Sequence, residues 1–185
     1  MLLFLSCKQK ELVLRPVSYA EFKAFVDSTD YVTDAEKFGW SIVQINVFDF
    51  NKVDNADWRR PDGKHPPRSY DLPVTQVSYN DALAYCHWAG TRLPDYDEYW
   101  KMVASDKRPV VADNMYPISP VVSVNIVGNV WDITSTTRGE MIRLAGGSLF
   151  CSEKTCHGTV KERVNFVDKY TGNINIGFSV IDEKE

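Results

Sequence analysis

A single α+β domain with much irregular backbone is the fold class this sequence predicts. Three observations lead to it. Helical periodicity is confined to short segments that carry their own start and stop signals. The remaining apolar residues fall in short runs between Gly- and Pro-bearing turns. No linker, internal repeat or low-complexity stretch divides the 185 residues, a length that can bury a sizeable core. Five Trp, nine Tyr and nine Phe suit a loop-rich fold pinned by large rings. The reading places a leader and tail at residues 1–15 and one domain at 16–185.

Taken in order, Pro16 to Asp30 reads as a turn and then a helix. Ser18 is its N-cap, Glu21 completes a capping box, and Phe22, Phe25 and Val26 form the apolar stripe. Thr33 to Phe38 gives a further helical turn before Gly39-Trp40. Ser41 to Phe50 alternates, most clearly at Ile45, Val47 and Phe48, and predicts one strand; Asn51 to Leu72 predicts a loop. Val74 to Val77 is short and extended. Ser78 caps a helix over Asn80 to Ala89 whose apolar face carries Ala82, Leu83, Tyr85 and Cys86, and Gly90 stops it. Arg92-Leu93-Pro94 leads into a third helix with Asp95 and Asp97 at its positive end. Pro109, Pro117 and Pro120 exclude a long helix between Lys107 and Val124, and the C-terminal third alternates short strands with Gly-rich turns.

Composition narrows the function classes. The chain is 44% apolar and 25% charged with a formal net charge of −4, and no Lys/Arg run offers a phosphate-binding stripe, so a nucleic-acid partner is not expected. No apolar run approaches the roughly 20 residues of a membrane-spanning helix. Met1 to Lys10 looks like the end of a bacterial lipoprotein signal, with small Ser6 before Cys7, although the basic part is missing and the apolar core is short. The expectation is a lipidated Cys7, hence membrane attachment and a place in the bacterial cell envelope, periplasmic or outer-membrane.

The chemistry-bearing stretch is Gly146 to Cys156. Cys151 and Cys156, five positions apart behind a Gly-Gly-Ser turn, can grip a soft monovalent metal, form a disulfide or do redox chemistry. Spacing alone favours the disulfide in an oxidising compartment. Just upstream, Asn125 to Asp132 offers hard oxygen ligands suited to calcium. His65, His87 and His157 lack metal-ligand spacing, and no Ser/His pattern signals a nucleophile and its base.

Ordered blocks then carry a family likeness. They are Glu21-Phe22-Lys23-Ala24-Phe25-Val26, Tyr31 to Trp40, Asp57-Trp58-Arg59-Arg60-Pro61-Asp62-Gly63, Pro73 to Cys86, Trp88 to Pro94, Gly128-Asn129-Val130-Trp131, Gly146-Gly147-Ser148 and Asn175-Ile176-Gly177-Phe178. From about Pro16 to Phe178 the chain resembles the formylglycine-generating enzyme, or sulfatase-modifying factor, family. The resemblance implies a fold related to C-type lectins. It also implies an activity: oxidation of a cysteine in an unfolded sulfatase polypeptide, within Cys-x-Pro-x-Arg, to Cα-formylglycine with copper(I) and O₂. In that reading Cys151 and Cys156 hold Cu(I), and metal-free protein can still join them. Ser148 and Trp131 flank the oxygen pocket; Asn125, Gly128, Val130 and Asp132 bind Ca²⁺; Asn175 and Arg163 contact the peptide.

The chain also departs from the family pattern. Asp132 stands in place of a glutamate, and Val180 in place of a cysteine that some relatives bridge to the position of Cys86, which is left as a buried thiol. The stretch between Trp100 and Asn125 is short, with Asn114 the remnant of another calcium site. After Cys156 the usual Tyr-Arg and Ala-Ala-Arg elements are altered: ungapped register puts Val164 at the arginine, a one-residue deletion puts Arg163 there. An altered groove keeps a second reading open, a non-catalytic, lipid-anchored relative serving as a structural or binding module of the envelope. An iron-dependent relative is disfavoured by the lack of a histidine cluster.

Overall fold

The computed structural model describes residues 11–108, 110, 118–151 and 159–184. Four helices are present among them: α1 (Tyr19–Thr29), α2 (Asp34–Phe38), α3 (Tyr79–Ala89) and α4 (Tyr96–Val103). Each starts at a complete capping box, pairing Ser18 with Glu21, Thr33 with Glu36, Ser78 with Asp81 and Asp95 with Glu98. Reciprocal side-chain bonds satisfy backbone N–H groups that a helix start would otherwise leave unpaired, which is why these boundaries are fixed locally. Asp30, Gly39 and Gly90 end three of the helices in the left-handed conformation.

Seven strands accompany them among the described residues. Strands β1 (Glu11–Pro16), β7 (Ile176–Lys184), β4 (Trp131–Arg138), β5 (Met141–Ala145) and β6 (Phe166–Asp168) form one sheet in that spatial order. All neighbours are antiparallel except β4 and β7, which run parallel from Trp131 opposite Ile176. Strand β1 begins five residues ahead of the Pro16 boundary expected for the domain, and Arg15 on it ion-pairs with Glu21 of α1 and Asp182 of β7.

The stretch expected to be one strand, Ser41 to Phe50, is instead a hairpin of β2 (Trp40–Gln44) and β3 (Phe50–Asp54). The chain reverses because Asn46 Oδ1 accepts the backbone N–H groups of both Phe48 and Asp49, an Asx turn that outweighs the apolar alternation around it. Strand β3 also occupies the start of the expected loop. Gln76, fully buried at φ 61°, pins this hairpin to the rest of the molecule. Its Oε1 accepts from Ser41 Oγ (2.5 Å), its Nε2 donates to Ile42 O (2.9 Å), and its backbone N–H donates to Asn173 O (3.1 Å).

The main core lies between α1, α3 and the sheet. Phe22 packs against Trp58 (centroids 5.4 Å apart), Tyr85 (6.1 Å) and Phe178 (6.3 Å). Cys86 is buried and free beside Val180, and burial pushes its thiol up to about 11, where it is inert. Leu83, expected on the inner face of α3, is 42% exposed. Gly177 is required where β7 passes the Val74 segment, since a Cβ there would lie 2.4 Å from Val74 O. No helix among the described residues is long and apolar enough to cross a membrane.

Candidate active site

Four separate stretches of chain converge at one end of the parallel β4–β7 pair. Trp131 opens β4, and its backbone N–H donates to Asn175 O (2.8 Å), fixing the loop before β7 beside it. After β5 the chain turns through Gly146 (φ 86°) and Gly147 (φ 70°). A side chain at Gly146 would place Cβ 2.3 Å from the Tyr99 hydroxyl, so this turn needs glycine for space as well as for conformation. Gly128 N–H donates to Gly146 O and Leu149 N–H to Asn129 O, which ties the turn to the 125–130 loop. Cys151 N–H then closes a tight turn onto Ser148 O (2.8 Å).

This scaffold gathers Ser148, Cys151, Trp131, Asn175 and Arg163, all singled out from sequence, around a cavity of about 250 Å³. Ser148 and Asn175 are at most 1% exposed, Cys151 2% and Trp131 8%. Asn175 Nδ2 donates both to Ser148 Oγ (2.9 Å) and to Gln44 Oε1 (2.8 Å). Cys151 is disulfide-bonded, its partner sulfur lying outside the described residues. Cys156, the other expected copper ligand, and Cys7, the expected lipidation site, also lie outside them, as does Asn114.

Sequence reasoning missed two buried polar residues of the cavity. Gln44 ends β2, where an alternating strand pattern concealed it, and Asn173 sits two residues before Asn175. The side-chain oxygens of Asn173 and Asn175 are buried with no hydrogen-bond partner among the described residues. Leaving such an oxygen unpaired costs on the order of 1–3 kcal/mol. The repeated Asn-Ile-Asn pattern was the available signal.

The expected calcium ligands gather elsewhere, on the inner side of the 125–130 loop. Asn125, Val130 and Asp132 line one void of about 10 Å³, roughly the size that admits a single small ligand; Gly128 does not line it. Asn125 Oδ1 accepts from Val127 N–H (2.9 Å). Asp132 is fully enclosed, accepting from Ser179 Oγ (2.6 Å) and Tyr99 OH (3.0 Å). Burial pushes its carboxyl up to about 7, with those two hydroxyls opposing the rise. A buried carboxylate with neutral donors and no basic partner among the described residues suits a cation in its vicinity.

A family model described as the sulfatase-modifying factor enzyme 1-like domain matches residues 11–120. A formylglycine-generating enzyme from Bos taurus is 42% identical over 104 residues, covering 45% of this chain and 27% of that protein. A Mus musculus protein named inactive C-alpha-formylglycine-generating enzyme 2 is 27% identical over 223 residues, covering 88% of this chain and 71% of that one. Among solved structures, PvdO from Pseudomonas aeruginosa superposes with a TM-score of 0.59 at 14% identity, over 94% of this chain and 80% of its own. The last likeness concerns the fold alone. The family match ends before Trp131 and the Cys151 loop, so the cavity stands on its own geometry.

Proposed function

Because this chain belongs to the formylglycine-generating enzyme (sulfatase-modifying factor) family, we propose that it oxidises a cysteine of an unfolded sulfatase segment to Cα-formylglycine, using copper and O₂. The observation that supports this most is the convergence of Cys151, Ser148, Trp131, Asn175 and Arg163 on one enclosed cavity. A disulfide sulfur is a poor copper ligand, so the donor set fits Cu(I) only after reduction frees Cys151 as a thiolate, with Cys156 as the second ligand. Copper so held would supply the redox chemistry between O₂ and the substrate's Cβ–S unit. The chain's own residues bind and shield. Trp131 and Phe150 wall the cavity against water. Ser148 Oγ, held by Asn175, keeps its own proton available for a ligand oxygen or sulfur. Asn125, Val130 and Asp132, with Gly128 on the same loop, would hold calcium and thereby stiffen the strand that carries Trp131.

A second reading is favoured by the disulfide at Cys151 and by the similarity to the protein named inactive. Here the chain is a non-catalytic envelope module anchored through Cys7. One experiment separates the two. Reduced protein is titrated anaerobically with Cu(I), then given O₂ and a Cys-x-Pro-x-Arg peptide, whose product is read by mass spectrometry after capture with an aldehyde-reactive hydroxylamine. The enzyme reading expects about one Cu(I) bound and an aldehyde product, both lost in Cys151→Ser. Equal traces from wild type and variant would leave the module.

A further inference from the structure

A second cavity, of about 630 Å³, opens on the other side of the segment that borders the Cys151 cavity. Ile174 lines this second space, whereas Asn173 and Asn175 line the first, so one short stretch of chain separates them. Its volume falls in the range of small-molecule sites. The walls are mostly rings: Pro61, Pro66, Pro67 and Pro73, with Tyr19. They are set before any ligand arrives, because proline fixes its own φ. Asp62 Oδ1 accepts the backbone N–H groups of Lys64 (2.8 Å) and His65 (2.6 Å), and Tyr19 N–H donates to Leu72 O (2.8 Å).

Three polar side chains of these walls are left open. Thr75 is only 4% exposed, yet its hydroxyl has no hydrogen-bond partner among the described residues, and neither has the Tyr19 hydroxyl. The Arg68 guanidinium makes no ion pair or hydrogen bond among them. Asp62, the carboxylate of the same wall, is already met by His65 Nδ1 (2.8 Å) and by the two N–H groups it accepts. Open donors on an apolar wall, with one uncompensated positive charge, call for an acceptor that carries one negative charge. The flat ring walls call for a ring to pack on them, the pairing of proline with aromatic faces that peptide-binding grooves use the other way round. We infer that this cavity is a ligand site separate from the Cys151 cavity, and that it takes an aromatic monocarboxylate. The ring packs between the prolines and Tyr19, Arg68 meets the carboxylate, and the Thr75 hydroxyl donates to the ligand from the wall. The site is independent of the reaction proposed at Cys151, so each stands or falls alone.

The test is isothermal titration calorimetry of the full chain, without copper, using cinnamate and its neutral isostere cinnamamide. Wild type is expected to bind the acid about 10-fold more tightly, the margin of a charge-assisted hydrogen bond. In Arg68→Gln the ratio should fall below about 2-fold, with a melting curve close to wild type because Arg68 is exposed. Thr75→Val should weaken both probes several-fold and leave their ratio unchanged, its melting curve showing that it folds. Arg163→Gln, in the Cys151 cavity, should leave both affinities as in wild type. Failure of cinnamate to bind wild type, equal binding of acid and amide, or a ratio that survives in Arg68→Gln overturns the site. So does a folded Thr75→Val protein that binds both probes as wild type does. A ratio lost in Arg163→Gln and kept in Arg68→Gln overturns it as well, by placing the anion in the Cys151 cavity.

Discussion

Phe22 and Phe48 show two opposite uses of one residue type. Phe22 is fully buried among Trp58, Tyr85 and Phe178, in a region where large rings fill space and only the Trp58 Nε1 is a buried ring N–H without a hydrogen-bond partner among the described residues. Phe48 is 84% exposed at the rim of a cavity whose floor holds unpaired oxygens. The first region gains stability from its contacts; the second forgoes it, leaving apolar surface wet and polar atoms dry. Such a reversal is costly within a folded chain and is relieved when a ligand covers both. The difference separates the part of the molecule that holds the fold from the part shaped for something outside it.

The contrast breaks most visibly at Phe22. Phe22→Ala should lower the unfolding free energy by about 3–5 kcal/mol through lost transfer energy and a cavity, read as a reduced urea midpoint. A loss no larger than that of Phe48→Ser would erase the distinction. Next in size is a pH effect from the packed region. Asp81 accepts from Ser78 N–H, Asp34 N–H and Tyr31 OH, yet burial pushes it up to about 6. Unfolded, it keeps its proton only below about pH 4, so between about 4 and 6 the folded state binds more protons. Stability should therefore fall as pH rises through that window, by about 3 kcal/mol, and the penalty should vanish below it. Asp132, pushed up to about 7, extends the slope upward. Urea midpoints that rise from pH 4 to 6 would refute this sign.

Calcium offers a smaller, sharper test. At ten times its dissociation constant the ion would add about 1.4 kcal/mol by mass action, and it would flatten the upper part of the pH slope by holding Asp132 charged. Chelator should lower the melting temperature, and Asp132→Ala should abolish the response; a curve indifferent to chelator would mean that Asp132 is held by Tyr99 and Ser179 without an ion. The smallest effect belongs to the cavity floor. Asn173→Ala removes an unpaired oxygen whose burial costs about 1–3 kcal/mol but also gives up the packing of the side chain, so the two offset and the net stability change should stay within about 1 kcal/mol of zero. A large loss in calorimetry would mean that Asn173 is structural.

These regions also differ in how far they can be read from sequence. Caps such as Ser78, and stops such as Gly90, act within one turn, so α1 and α3 were legible to within a residue or two, and α4 at its start alone. The Gly146-Gly147-Ser148 turn, Trp131 and Asn175 were legible through family resemblance. The hairpin was not, because Ile45, Val47 and Phe48 imitate a strand while one polar side chain, Asn46, makes the reversal by accepting the backbone N–H groups of Phe48 and Asp49. Gln44 and Asn173 escaped for another reason. Their meaning lies in contacts between segments about 130 residues apart, as with Gln44 and Asn175, and no local pattern records them.

The strand order has a bearing on how the chain is made. β7, the last described strand to emerge during synthesis, lies between β1, the first, and β4. Helices α1 and α3 carry their start and stop signals locally, but β1 and β4 have no hydrogen-bonding neighbour in common until residues 176–184 arrive. Loop closure over more than 160 residues places this step late and makes it slow. Until then the inner faces of Phe22 and Tyr85 wait without Phe178. The nascent chain is thus an open apolar half-core for most of its synthesis, and chaperone holding during that interval is the demand this topology makes on the cell.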